Sequence, residues 1–245
     1  MTLKEKLYNY DVAVLKDYGG IKQKITVHRV LRNKGLEAPS VEKLRKNDNS
    51  EKLLESISRA KSKIFEYAYC NEFEIFVTLT IDPKKYDRTD LKTYYKDFSQ
   101  WLRDYQKKYN IKIQYLFIPE LHKDGQSWHL HGLVKGLPKD HLIINNNGYY
   151  DWEPYKSKFG YISLDFIRDT QKTASYITKY ISKNLSDCIK EYNAKMYYCS
   201  KGLKTATEIK RGTMLADIVP HFENEFVKVQ WFENQDIEKL KNLIR

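Results

Sequence analysis

The chain has 245 residues, 43 basic against 32 acidic, giving a formal net charge of +11, and 41% of its residues are hydrophobic. That is enough apolar material for one domain with appendages or two small ones. No apolar run reaches the about 18 residues of a membrane span, and the excess of positive charge argues for a polyanionic partner.

Twenty tyrosines accompany the basic residues. Tyrosine interleaved with lysine and arginine suits a single nucleic acid strand, held by stacking and by phosphate contacts. Three cysteines, Cys70, Cys188 and Cys199, form no CxxC pair. They read as free thiols in a reducing cytoplasm. The start, Met1-Thr-Leu-Lys-Glu-Lys6, leads into charged sequence and shows no signal peptide.

Residues 10–31 read as a hairpin around Tyr18-Gly-Gly20. Residues 32–49 are polar and turn-rich and read as a linker. From Ser50 to about Cys70, apolar residues at helical spacing predict a helix. Glu72 to Asp82 alternates: Phe73, Ile75, Val77, Leu79 and Ile81 on one face, Thr78, Thr80 and Asp82 on the other. This predicts a half-buried strand, with packing as the task of Thr78 and Thr80.

A second helix is expected from Thr89, with Leu91, Tyr95, Phe98, Leu102 and Tyr105 as its stripe and Asn110 at its end. Residues 111–122 then read as a strand in which Pro119 marks the end of regular pairing, and Lys123-Asp-Gly125 as a turn. Residues 128–135 complete a hairpin. Further elements are a strand at about 159–164, a helix at about 169–185, a strand at Phe226–Phe232 and a short terminal helix. The order predicts an α+β fold, an antiparallel sheet with helices on one face. The division expected is an N-terminal extension over 1–50, a central domain over 51–205 and a C-terminal extension over 206–245.

The most informative segment is Trp128-His-Leu-His-Gly132. On a strand, residues i and i+2 share a face, so His129 and His131 can reach one ion. Glu120, on the preceding hairpin strand, supplies a carboxylate to hold a hard cation beside two neutral imidazoles. His122 is a rival third ligand, and Asp124 can act from outside the ligand set. The donor set suits Mn²⁺ or Mg²⁺ and tolerates Zn²⁺.

Tyr176-Ile-Thr-Lys-Tyr-Ile-Ser-Lys183 carries a second signal. At about 100° per residue, Tyr180 falls roughly 40° from Tyr176, with Lys183 and Lys179 on the other side of it. Ala174, Ile177, Ile181 and Leu185 form a separate apolar stripe. Both phenols and both ammonium groups therefore lie away from the face that packs. A phenol is a poor nucleophile at neutral pH, and a nearby ammonium favours its anion.

Three segments in order resemble the HUH endonucleases, specifically the rolling-circle replication initiators of small phages and plasmids. Phe76-Val-Thr-Leu-Thr-Ile-Asp82 is similar to that family's first motif. Glu120-Leu-His-Lys-Asp-Gly-Gln-Ser-Trp-His-Leu-His131 resembles its metal motif. Tyr176 to Lys183 is similar to its two-tyrosine motif, as in the gene A type of microviruses. The resemblance covers about residues 60–205. It implies a ferredoxin- or RRM-like sheet, with metal ligands His129, His131 and Glu120. It also implies Tyr176 and Tyr180 as nucleophiles, with Lys179 as the lysine inside the motif.

The activity so implied is nicking and rejoining of single-stranded origin DNA through a 5′-phosphotyrosine, in the cytoplasm of a bacterial host. No GxxxxGK[ST] is present, so a separate host helicase and polymerase are expected partners. A relaxase or transposase of the same superfamily is the nearer alternative. A non-catalytic RRM-like nucleic-acid-binding module is the alternative of another class.

Overall fold

The computed structural model describes residues 7–33, 49–169, 172–173, 176–177, 195–223, 227–233 and 235–245. The chain divides into two compact units, Met1–Asp48 with Thr205–Arg245, and Asn49–Lys204. The expected linker falls almost wholly on residues 34–48, outside the described residues.

The central unit is α+β. Helix α1 (Asn49–Cys70) precedes β3 (Ile75–Thr80), and α2 (Leu91–Tyr109) connects β3 to β4 (Gln114–Leu121). Strand β5 (Trp128–Lys135) is the hairpin partner of β4. Then come β6 (Leu142–Ile144), β7 (Tyr150–Trp152), the short helix α3 (Glu153–Lys158), β8 (Ile162–Phe166) and, near the end of the unit, β9 (Tyr198–Cys199). The sheet order is β6-β7-β8-β3-β5-β4-β9, and its pairings are antiparallel. Strands β3 and β5 are therefore central, each hydrogen-bonded on both sides.

Alternation in β3 sets the two faces. Ile75, Val77, Leu79 and Ile81 are buried and pack with Leu130, Val134, Phe117, Ile162 and Leu164. Helix α2 covers this face through Tyr94, Phe98, Leu102 and Tyr105. Sequence reading places Tyr95 in that stripe. Tyr94 is the fully buried residue, because 94, 98, 102 and 105 keep the i, i+4, i+8 and i+11 spacing of one helix face. Asp90 caps α2 by accepting from the Thr93 N–H. Asn110 closes it in the left-handed conformation (φ 51°).

Pro119 does not end the β4–β5 ladder. It pairs with Leu130, and the register continues through Glu120↔His129 to Leu121↔Trp128. Beyond Leu116 and Phe117, β9 no longer covers β4, so proline stands on an edge strand, where a missing N–H is tolerated. The residues 139–158 carry β6, β7 and α3, short pieces that no long periodicity announces. On the opposite face of the sheet, Leu116, Ile118 and Leu133 are buried, and α1 lies against β4. Of the helix expected at 169–185, residues 172–173 and 176–177 are described, and they are helical.

The other unit is a five-stranded antiparallel sheet built from both flanks. Strands β1 (Leu7–Tyr18) and β2 (Lys22–Asn33) form the expected hairpin. Strands β10 (Thr207–Gly212), β11 (Phe222–Glu223) and β12 (Val227–Glu233) join it in the order β10-β1-β2-β12-β11. Helix α4 (Ile237–Lys241) contributes Leu240, which packs with Ile244 on Ala13, Leu15, Ile25 and Val27. Treating the flanks as separate extensions misses this pairing.

Candidate metal centre

The register of the central strands assembles the site. Across the sheet, Thr80, His129 and Glu120 form one row, and Thr78, His131 and Ile118 the next. All six point to the face opposite α2, because positions two apart share a face. Glu120 is thus directly across from His129 and diagonal to His131.

The side chains close on one another. Oε2 of Glu120 is 3.0 Å from Nε2 of His129 and 2.6 Å from Nε2 of His131. The two Nε2 atoms are 2.9 Å apart. These three residues are the cluster among the described residues whose donor atoms could hold a metal ion. His122 is outside it: its ring is 6.0 Å from that of His129, edge to face. Asp124 is also outside. Its carboxylate accepts the N–H groups of Gln126 and Ser127 and closes the hairpin turn. Those bonds, that of Ser127 foremost, hold its pKa well below the usual carboxylate range.

Burial tunes the donors. It lowers both His129 and His131 to about 4, so both imidazoles are neutral at neutral pH. Positive charge from His122 and Arg88 adds to the effect at His129, and His129 adds to it at His131. The Glu120 carboxyl is raised, also by burial. A carboxylate kept from water beside neutral imidazoles is stabilised by a cation.

The second nitrogen of His131 is anchored. Its Nδ1 lies 3.0 Å from Oγ1 of Thr78, so Thr78 orients the His131 ring rather than only packing. With the hydrogen on Nδ1, the Nε2 lone pair faces Glu120 and His129. Neighbouring donors on a six-coordinate ion with bonds of about 2.0–2.1 Å stand about 3.0 Å apart, close to the 3.0 and 2.9 Å spacings at His129, with the Glu120–His131 pair tighter at 2.6 Å. The residues present therefore fit a divalent ion, with Glu120, His129 and His131 on one side of it.

Tyr176 lies on the same face of the sheet. Its ring meets that of Phe76 edge-on at 5.7 Å, and Phe76 stacks on His131 at 6.0 Å. One phenyl ring thus separates the tyrosine from the nearer imidazole. Tyr176 is 49% exposed whereas the next residue, Ile177, is buried. Tyr180, Lys179 and Lys183 lie outside the described residues. Sequence reading gives no role to Phe76, which alternation alone places beside Thr78 and Thr80. It also passes over Arg88, which sits in a turn without periodicity.

An α+β antiparallel sheet carrying two imidazoles on β5 and a carboxylate on β4 defines a candidate metal-binding protein. Residues 74–185 match the family model of the ORF2-type replication-associated protein. The matched segment runs from the start of β3 through Glu120, His129, His131 and Tyr176, and supports a Rep-type replication initiator with a role in DNA replication. No curated protein and no solved structure matches the chain significantly. No helix among the described residues is long and apolar enough to cross a membrane.

Proposed function

We propose that this chain nicks and rejoins single-stranded DNA at a replication origin, using Tyr176 as first nucleophile and a divalent ion held by Glu120, His129 and His131. The observation that carries the reading is the half-exposed Tyr176 ring one phenyl group from His131, on the face where the three donors converge. The ion, Mn²⁺ or Mg²⁺ in this reading, would supply Lewis-acid polarisation of the scissile phosphate.

The remaining work falls to the chain. Phe76 packs against the ring and the next residue, Ile177, is buried, which positions a half-exposed tyrosine for attack. The Tyr176 oxygen bonds to phosphorus, the bond to the 3′-oxygen breaks, and that oxygen leaves as a 3′-hydroxyl on taking a proton. The phenol proton goes to solvent. The product is a 5′-phosphotyrosyl ester, which a 3′-hydroxyl can attack to rejoin the strand. Tyr180 acts as the second nucleophile in this scheme, and Lys179 favours the phenolate. A separate helicase opens the duplex, and a polymerase extends the freed 3′ end.

The test is incubation with labelled single-stranded origin DNA and Mn²⁺, followed by a denaturing gel. A DNA-shifted protein band that maps to Tyr176 supports the reading. Nicking that persists in Tyr176→Phe/Tyr180→Phe overturns tyrosine catalysis. Binding without cleavage by the wild type assigns the chain to non-catalytic modules. Cleavage at a transposon end or transfer origin alone assigns it to a relaxase or transposase.

A further inference from the structure

A cleft of about 390 Å³ opens beside the imidazole pair, at the end of β3. Thr80, Asp82, Arg88, Lys156, Gly160 and Tyr161 line it. Its volume is within the range of about 300–1,000 Å³ common to ligand pockets. It adjoins the candidate metal centre directly, because Thr80 is the cross-strand partner of His129 and lines the cleft as well.

Arg88 is the unusual member. Its Nε is buried and has no hydrogen-bond partner. A buried donor left unmade is costly, and such a group in a cleft is a sign of a missing acceptor. Its position is fixed: the Arg88 carbonyl accepts the Trp128 N–H at 2.8 Å, one residue before His129. Its charge is felt at His129.

The opposite wall is equally fixed. Thr80 N–H donates to the Tyr161 carbonyl at 2.8 Å, and Asp82 N–H to that of Phe159 at 2.9 Å. Gly160 (φ 148°) lies so close to Thr80 O and Asp82 N that any side chain there would strike backbone. Above this floor stands the ring of Tyr161, 55% exposed, with Lys156 Nζ 6.0 Å from its centre. Lys156 is also paired with Asp151 at 2.5 Å. The one acid lining the cleft, Asp82, is engaged by its own loop: Oδ1 accepts from the Lys84 N–H, and Oδ2 is 3.7 Å from Lys85 Nζ, which offsets its charge.

A partly buried arginine with an unpartnered Nε and an exposed aromatic face on a rigid floor are the parts that hold one nucleotide of a single strand. Along β3 the order is Phe76 with Tyr176, Thr78 with His131, Thr80 with His129, then the cleft. Four strand residues separate its ends, roughly 13 Å. We propose that the cleft binds a nucleotide adjoining the scissile phosphate, with Arg88 on its backbone phosphate and Tyr161 stacked on its base. This rests on the proposed function, and it names where the strand is held.

The full chain is titrated, in EDTA, into a fluorescein-labelled single-stranded oligo-dT of about 16 nucleotides, and anisotropy is read at several salt concentrations. Arg88→Gln should weaken binding roughly tenfold and flatten the slope of log K against log salt by about 0.7, the value of one lost phosphate contact. Arg88→Lys should keep the slope. Tyr161→Ala should weaken binding roughly fivefold or more with the slope unchanged. Lys107→Gln, an exposed charge on α2, is the control. A melting curve of each variant without metal checks that it is folded.

Wild-type affinity and slope in Arg88→Gln overturn the inference. So does weaker binding at an unchanged slope, which would make Arg88 a structural residue. In either case nicking by the wild type with Mn²⁺ leaves the proposed function standing. A wild type that neither binds nor nicks single strands removes both.

Discussion

Oγ1 of Thr78 lies 3.0 Å from Nδ1 of His131, across the ladder that joins the two central strands of the seven-stranded sheet. The contact selects which imidazole nitrogen is left for a ligand. Replacing the hydroxyl by a methyl in Thr78→Val keeps the shape and removes the anchor. Divalent-ion affinity, measured by calorimetry with Mn²⁺, is expected to fall about tenfold or more, with Thr78→Ser close to wild type.

Glu120 carries the negative charge among the three donors. Glu120→Gln keeps its size and loses its charge, so Mn²⁺ should no longer raise the melting temperature. In the wild type, an ion at about 100 times its dissociation constant adds about 2.7 kcal/mol to stability. Equal thermal shifts in the two proteins would place the ion elsewhere.

Tyr176→Phe removes one oxygen from a half-exposed ring and leaves its contact with Phe76. Stability should change by no more than about 0.5 kcal/mol. The covalent protein–DNA band on a denaturing gel should disappear. Mn²⁺ affinity should be unaffected, which would separate the proposed nucleophile from the proposed metal ligands.

Gly132 follows His131 on β5 and faces the core. A Cβ there would run into the ring of Phe117 and stand 2.8 Å from the Leu116 carbonyl oxygen. Phe117 is held in turn by Phe98, with ring centres 5.7 Å apart. Gly132→Ala should therefore cost about 1–3 kcal/mol in chemical denaturation.

Asp124 holds the turn that sets the register of Glu120 against His129. Its pKa in the fold is depressed, chiefly by the bond to Ser127. The contribution is then present above the ordinary carboxyl pKa of 3.8 and is lost as pH falls through the lowered one. Asp124→Ala should melt below the wild type at pH 7, and the gap should close as the solution is taken below pH 3.8.

Much of the site is legible in the sequence because it is local. The period of a strand and a short turn at 123–125, which makes a hairpin of β4 and β5, are enough to place Glu120, His129 and His131 on one face. The spacing of His129 and His131 needs only the period of a strand. Thr78 is misjudged because a β-branched residue on a strand is usually there to pack, and its hydrogen bond depends on the β3–β5 register. That register joins residues 53 positions apart, and nothing in either strand announces it. Arg88 lies in a turn whose backbone partner, Trp128, is 40 residues away in sequence, so its placement leaves no local trace. The pairing of β1 with β10 and of β2 with β12 is more distant still.

That distant pairing sets an order of events during synthesis. The first hairpin precedes the central unit in sequence, yet both of its outer edges find partners only in strands that follow that unit. Until then it offers two open edges to any other strand nearby, a hazard in a crowded cell. Completion of this sheet must therefore await synthesis of residues 207–233, whereas the segment from 49 to 204 has its described strands beforehand.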